Sequence, residues 1–421
     1  MRKISCIIGC AALVGSAALL ARSAPVGASA DQGVTANTIT VGIPYVDLAA
    51  VDQQFGLKIN QGSYPDAYNA LFQQINAAGG INGRKIVPVF VAVNPTGTAA
   101  AASSCTQLTE DKHVFVAFSP LSPICYLEHG TPTIGATVEG NVGAGAAQNF
   151  TVTAPATAYD PTQLAVLAKE GVFKGKKVGV FGGAVTDEPE VNIVDAALRK
   201  DHVDVAQTAV DSAPSTDQSA SNQQQAVIAQ RFQSSGVNEV VAVGTGSAVW
   251  PQGEQANQAT FNPHWVATSE TDLAGVLTGK SFPPQYLDNV VATFPQTSQA
   301  NQWSDPLIQS CVQRIRRAYP SDAIASPVGQ SASDTSNDTY VSAMSACSYV
   351  AMFDAIARAA GKHLTVGSFT QAGYGLRNLK VPGAGTVSFG PGRAYALGPV
   401  YLAHYDPTTK LLVLAAKPVS N

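Results

Sequence analysis

The segment Tyr64–Ile86, YPDAYNALFQQINAAGGINGRKI, constrains the fold more than any other part of the chain. Tyr64, Tyr68, Leu71, Phe72 and Ile75 recur at the spacing of a helix with one core-facing stripe. Gly79-Gly80 ends the stripe, because glycine takes the left-handed cap conformation without a side-chain clash. A short turn follows, and the apolar run KIVPVFVAV (85–93) reads as a strand. Before the helix lies a first strand, ITVGIPY (39–45). Strand, helix and strand in that order predict a parallel sheet with its ligand beyond the strand ends.

The start of the chain reads as a targeting segment. Met1-Arg2-Lys3 is positive, residues 4–20 are apolar, and Ala28-Ser29-Ala30 has the small-residue pattern of a cleavage site. A signal peptide over 1–30 is expected. An uncleaved anchor, or lipid attachment at Cys10, is the alternative. The remainder, about 390 residues, suffices for two domains with separate cores. Charged residues make up 13% and the net charge is −4, which excludes the basic surface that nucleic acid requires. Past the signal no apolar run reaches membrane-spanning length free of charge and proline.

Of the six cysteines, Cys6 and Cys10 lie in the signal, leaving Cys105, Cys125, Cys311 and Cys347. An even number in an exported chain favours disulfides. The local pairs Cys105–Cys125 and Cys311–Cys347 are expected over the crossed ones. A metal site is the competing use, but there is no C-x-x-C and no nearby histidine pair, so none is expected.

Apolar strands and helical stripes alternate along the chain. HVFVAF (113–118) and TPTIGAT (131–137) complete a first series, with an alanine-rich helix at about 98–109 between strands. Residues 46–56 read as a long acidic loop carrying Asp47 and Asp52. After a Gly/Ala/Thr-rich crossover, Asp160-Pro161 reads as the capped start of a helix. A second series follows: KKVGVFGG (176–183), VDVAQTAVD (203–211), VNEVVAVG (237–244), HWVATSE (264–270) and LDNVVATFP (287–295), with helices between them. Asp305-Pro306 opens a helix, a long helix spans about 338–360, and ALGPVYLAHYD with LLVLAAK reads as a terminal hairpin.

The element order, the segment INAAGGINGRKI, the tail hairpin and the exported context resemble the type I periplasmic solute-binding proteins, in particular the leucine/isoleucine/valine-binding branch of ABC transporters. The resemblance implies an α/β fold of two doubly wound lobes with parallel central sheets, joined by three crossover strands and closing by a hinge. Mapped onto this chain, one lobe is 31–149 plus 300–392 and the other is 150–299 plus 393–421. It also implies that Ser119, Ser122, Ala136 and Thr137 hold a ligand carboxylate with hydroxyls and backbone N–H groups, and that Glu270 takes an ammonium. Tyr45, Thr245 and Ser247 join them as residues at strand ends. Two departures weaken a simple amino-acid reading: Pro120 and Pro123 remove N–H donors, and Asp47 and Asp52 admit a larger or cationic ligand.

No H-E-x-x-H, Walker loop or G-x-S-x-G elbow is present, and the six histidines are scattered. A non-enzyme without a cofactor is expected: a monomeric extracytoplasmic receptor, in the periplasm, the cell envelope or the medium. It would capture a small solute, such as an amino acid or amide, and deliver it to the permease of an ABC importer. A sensory module that signals without transport shares the same fold, and a secreted hydrolase is the remaining alternative.

Overall fold

The computed structural model describes residues 31–421 apart from 57, 95–97, 137–147, 215–216, 257–260, 270–272, 274–285, 296–297, 331–334, 409–410, 416 and 420–421. The signal region, Thr137 and Glu270 therefore lie outside the described residues.

The opening motif forms as its residues dictate. Strand β1 (Thr38–Val46) precedes helices α1 (Leu48–Phe55) and α2 (Tyr64–Ala77) and strand β2 (Lys85–Val93). Ser63 caps α2 by accepting from the Asp66 amide at 3.2 Å, and Tyr68, Leu71 and Phe72 are buried on its inner face. Gly80 has φ +75°, and a Cβ there would collide with the Arg84 carbonyl, so the position requires glycine. Asn82 (φ 51°) and Gly83 (φ 88°) then make a two-residue turn between paired Ile81 and Arg84. β1 and β2 pair in parallel from Thr38 against Lys85 to Val46 against Val93.

The first series continues with α3 (Thr98–Thr106), β3 (Val116–Phe118), α4 (Pro123–Glu128), β4 (Thr133–Ile134) and β5 (Asn149–Phe150). Its sheet is all parallel, in the order β2-β1-β3-β4-β5. The second series runs α5 (Ala156–Lys169), β6 (Lys177–Gly182), α6 (Glu188–Lys200), β7 (Asp204–Val210), α7 (Gln218–Ser234), β8 (Glu239–Val243), α8 (Gly246–Ala256), β9 (His264–Ala267) and β10 (Val290–Phe294). These strands pair in parallel as β7-β6-β8-β9-β10, the same winding order as the first sheet. The terminal hairpin β13 (Tyr401–Asp406) and β14 (Leu411–Leu414) adds two antiparallel strands beside β10.

Between the two visits to the second sheet, the chain returns to the first. Helices α9 (Gln299–Trp303), α10 (Pro306–Ala318), α11 (Tyr340–Ala360) and α12 (Val366–Gly375) are followed by a small hairpin, β11 (Leu379–Val381) and β12 (Gly385–Val387). Ile308, Val312, Phe353, Ile356, Phe369, Val381 and Val387 share one core with Ile39, Ile43, Phe72 and Phe118 of the first series. Helix α11 is long and apolar enough to cross a membrane, but it is a core helix here, with Met352, Phe353 and Ile356 fully buried. Trp250 and Trp265 anchor a separate core on the second sheet.

The two cysteine pairs form as expected. Cys105–Cys125 ties α3 to α4, and Cys311–Cys347 ties α10 to α11.

Two local expectations are corrected. The stretch 46–56 contains helix α1, because the Asp47 carboxylate accepts from the Ala50 amide at 3.1 Å and caps a turn. Asp52 likewise accepts from the Ile59 amide at 3.2 Å, so both carboxylates organise their own segment. Helix α5 starts four residues before Asp160, with Pro155 at its N-cap and Pro161 inside it. Pro155 sets the entry with φ −61°, and its carbonyl accepts from the amides of Ala158 and Tyr159. Asp160 is therefore a buried residue within the helix, not its cap.

Candidate functional site

In a doubly wound sheet, the crevice opens where neighbouring strands send their connections to opposite faces. The order 2-1-3-4-5 places that point between β1 and β3 in the first sheet and between β6 and β8 in the second. The candidate site is built from the carboxyl ends of those four strands.

At the first switch point, β1 delivers Tyr45, which stacks on Tyr64 with ring centroids 6.1 Å apart. The residue after β3 is Ser119, held at φ +43°, a strained conformation for a residue with a side chain. Its amide donates to the Ile134 carbonyl at 2.7 Å, so that N–H is already engaged. Its hydroxyl meets the Tyr349 hydroxyl, which arrives from α11. The Tyr349 ring lies over Gly135, just after β4. Burial, reinforced by neighbouring Tyr349, pushes the Tyr64 hydroxyl up to about 12. Burial also raises Tyr68 and Tyr349. These phenols stay neutral, so the wall offers aromatic faces and neutral hydroxyls.

The other first-sheet candidates fall around this wall. Ser122 is half-buried at the start of α4, and its side chain makes no capping hydrogen bond. Ala136 is buried, and its carbonyl accepts from Asn149 Nδ2 at 2.9 Å. The N–H cradle expected for a carboxylate is sparse: the Ser119 and Gly135 amides both donate to backbone carbonyls, and Pro120 and Pro123 have none to offer.

At the second switch point the organising residue is Asp187, 7% exposed. One oxygen, Oδ2, accepts from the amides of Gly183 (2.9 Å) and Ala184 (3.2 Å) and from the Thr245 hydroxyl (2.6 Å). The carboxylate thus stitches the end of β6 to the end of β8. Thr245 is exposed as a residue, but its hydroxyl serves Asp187. Ser247 is fully buried. Its hydroxyl donates to the Ala242 carbonyl at 2.9 Å and accepts from the Ser269 amide at 3.1 Å, so the side chain faces the interior of the second sheet.

Three residues at these points escaped sequence reasoning. Tyr64 read as part of the core stripe of α2, Tyr349 lay inside the long helix at about 338–360, and Asp187 was not singled out. The acidic first turn of α6 was the available signal for Asp187. Nothing local marks Tyr349, which reaches Ser119 across more than half the chain.

The chain leaves one sheet for the other after Phe150, after Pro295 and again over 390–400. The first and third crossings are hydrogen-bonded, Thr151 amide to Ala394 carbonyl and Ala396 amide to Thr151 carbonyl, both 3.0 Å. The second and third touch where Gly398 packs on the Pro295 carbonyl too closely to admit a Cβ. A cavity of about 380 Å³ adjoins all three, lined by Val152, Pro295, Ala396 and residues of α9 and the β11–β12 hairpin.

Paired doubly wound sheets joined by three crossings match solved structures along nearly the whole chain. A periplasmic binding protein type 1 from Bordetella pertussis Tohama I is 15% identical, with a TM-score of 0.57, covering 91% of this chain and 100% of that one. This chain has the type I periplasmic binding protein fold. An ABC transporter substrate-binding protein from Desulfitobacterium hafniense in complex with Leu shares that fold at 13% identity and TM-score 0.58, covering 90% and 100% of the two chains. A fatty acid ABC transporter substrate-binding protein from Thermomonospora curvata does so at 13% identity and TM-score 0.54, covering 93% and 94%. No protein-family model matches the sequence, and no curated protein sequence does. The type I binding-protein fold therefore rests on tertiary structure.

Proposed function

We propose that this chain is an extracytoplasmic substrate-binding protein of an ABC importer, which captures a small solute between two lobes and performs no chemistry on it. The lobes are 31–149 with 300–392, and 150–299 with 393–421. The shared core of α10, α11 and α12 with the first sheet supports that division. The observation that carries the proposal is the repeated winding order: two sheets with equivalent switch points, tied by three crossings that serve as the hinge. Solved proteins of the same fold are substrate-binding proteins for solutes as different as leucine and a fatty acid.

The first wall, Tyr45, Tyr64, Tyr349, Ser119 and Ser122, suits a solute with an apolar or planar body and a few hydrogen-bonding groups. On the second wall, Asp187 is the acidic candidate for an ammonium or another donor; Glu270, outside the described residues, is a second candidate that the family resemblance implies. Ser247 is not carried forward into the binding set.

The test is a thermal-shift screen of the mature chain over amino acids, amides, short peptides, polyamines and fatty acids, followed by calorimetry and small-angle scattering. Stoichiometric binding with compaction is expected. Turnover of any ligand, or binding without a change in shape, would overturn the proposal. If the ligand is an amino acid, Glu270→Gln weakens it by about 1.5–3 kcal/mol through loss of a charge-assisted pair. Unchanged affinity removes Glu270 from the site.

A further inference from the structure

The two disulfides sit in opposite surroundings, and solute capture gives neither of them a role. Cys311 and Cys347 are 1% and 2% exposed, inside the core that α10 and α11 share with the first sheet. Cys105 is fully buried beside Leu108, Val114 and Tyr126, but its partner Cys125 is only half-buried on α4. One turn beyond Cys125 stands His129, which is exposed. Its Nδ1 meets the Cys125 carbonyl at 2.8 Å and the Cys125 sulfur at 3.9 Å, and a ring nitrogen lies within 4.8 Å of both sulfurs. Its Nε2 meets a carboxylate oxygen of Glu110 at 3.0 Å, from the turn that follows α3 (Gln107–Asp111).

A bridge that serves only as a staple needs no reachable sulfur and no cation beside it. Here the Cys125 carbonyl and then Glu110 favour the protonated imidazole, and a neighbouring cation stabilises the thiolate that a cysteine becomes on reduction. The bridge also anchors a segment that needs anchoring. Helix α4 has six residues, too few to persist unaided in water. Burial of Pro123, Tyr126 and Leu127 is its other hold. The connection that contains α4 leaves β3 at Ser119 and re-enters the sheet at β4, whose next residue is Gly135, so both of its ends belong to the first wall.

We propose that Cys105–Cys125 is a redox device: a dithiol reductant opens it in the folded chain while Cys311–Cys347 stays closed, and opening frees α4 and loosens the wall between Ser119 and Gly135. A thiolate of the reductant attacks the Cys125 sulfur, the bridge breaks, and its electron pair leaves on the Cys105 sulfur, which takes up the proton given by the reductant's second thiol. That second sulfur, now a thiolate, attacks its bonded partner within the reductant and releases Cys125 as a thiolate beside His129. Two electrons have passed: the protein holds one thiol and one thiolate, and the reductant departs as a cyclic disulfide. Selective opening stands without the importer reading, and only a consequence for a solute rests on it.

The experiment treats the folded mature chain with graded dithiothreitol in the absence of denaturant, alkylates the free thiols and maps the labelled peptides by mass spectrometry. Cys105 and Cys125 are expected to label at a reductant concentration about tenfold below the one that labels Cys311 and Cys347. His129→Gln should raise the concentration needed for the first pair by about threefold and leave the second pair unchanged. Hydrogen exchange over 119–134 should quicken in the selectively reduced chain. Labelling of both pairs together, or a His129→Gln chain reduced as readily as the natural one, would overturn the redox device. Unchanged exchange over 119–134 would overturn the release of α4. Each readout is made without a solute, so its failure is distinct from a failure of the capture proposal.

Discussion

Replacing Gly135 by alanine tests the first wall of the site most directly. Gly135 follows β4 with φ +77°, and an added Cβ would lie 2.5 Å from Cζ and 2.6 Å from Cδ1 of Tyr349. Two costs add. Holding alanine in the left-handed region costs about 1 kcal/mol. Driving the packed Tyr349 ring aside costs about 1–3 kcal/mol, the usual range for overpacking. The total, about 2–4 kcal/mol, lowers the unfolding midpoint by roughly 5–10 °C for a unit of this size. Gly130 is a matched control: its φ is +68°, but nothing stands within 4 Å of the added carbon. Gly130→Ala should therefore show the backbone cost alone, about 1 kcal/mol. The assay is denaturant unfolding of both variants, with solute affinity as a second readout, since the displaced ring leaves Ser119. Adding Tyr349→Ala to Gly135→Ala should recover part of the loss, a coupling that a double-mutant cycle measures. Equal costs for Gly135→Ala and Gly130→Ala, or no coupling to Tyr349, would refute the account of this wall.

Three further outcomes are expected. Replacing both Cys311 and Cys347 by serine should cost about 3–4 kcal/mol in the chain-entropy model for a separation of 36 residues, measured by denaturant unfolding under non-reducing conditions. Burial pushes the Glu239 carboxyl up, and Lys176, 3.3 Å away, opposes the shift. A raised folded value means that its contribution is fully present below the unfolded value and is lost as pH rises through the folded one. Lys176→Ala should therefore destabilise by about 1–3 kcal/mol near neutral pH and by much less in acid, where Glu239 is protonated with or without its partner. The Cys125 carbonyl and then Glu110 raise the His129 imidazole above its usual range. Its contribution is present below the unfolded value and disappears as pH climbs through the folded one. NMR titration should find the His129 midpoint high, and Glu110→Gln should bring it down.

Much of the fold was legible in the sequence, because period and punctuation are local. The stripe of α2, the Gly79-Gly80 stop and the Asn82-Gly83 turn announce strand–helix–strand without help from the rest of the chain. The same holds for Asp305 capping α10, whose carboxylate accepts from the Leu307 amide at 2.9 Å. Strand KIVPVFVAV was placed to the residue, since nothing distant competes with so strong an apolar run. The cysteine pairs were accessible because short separations favour local closure. Proline misled at position 161, where the sequence offers a capped start and the backbone had already entered the helix from Pro155.

The site was less legible. Sequence order brought Tyr45, Ser119 and Thr245 to strand ends, because a doubly wound sheet puts such residues there whatever their chemistry. It could not say which way a side chain turns: Ser247, two residues after Thr245, faces the core, and its hydroxyl ties β8 to Ser269, two residues past β9. Nor could it join Tyr349 to Ser119, or Asp187 to Thr245, since those meetings depend on α11 returning to the first sheet and on the order of β6 and β8. The sequence alone determined most of the strand and helix segments, and with them the strand ends at which a candidate site was sought, through propensities and spacings that act over a few residues. Only the tertiary structure decided which carboxylates are buried, which hydroxyls are already engaged and which rings form the wall, because those are set by contacts between segments far apart in the chain.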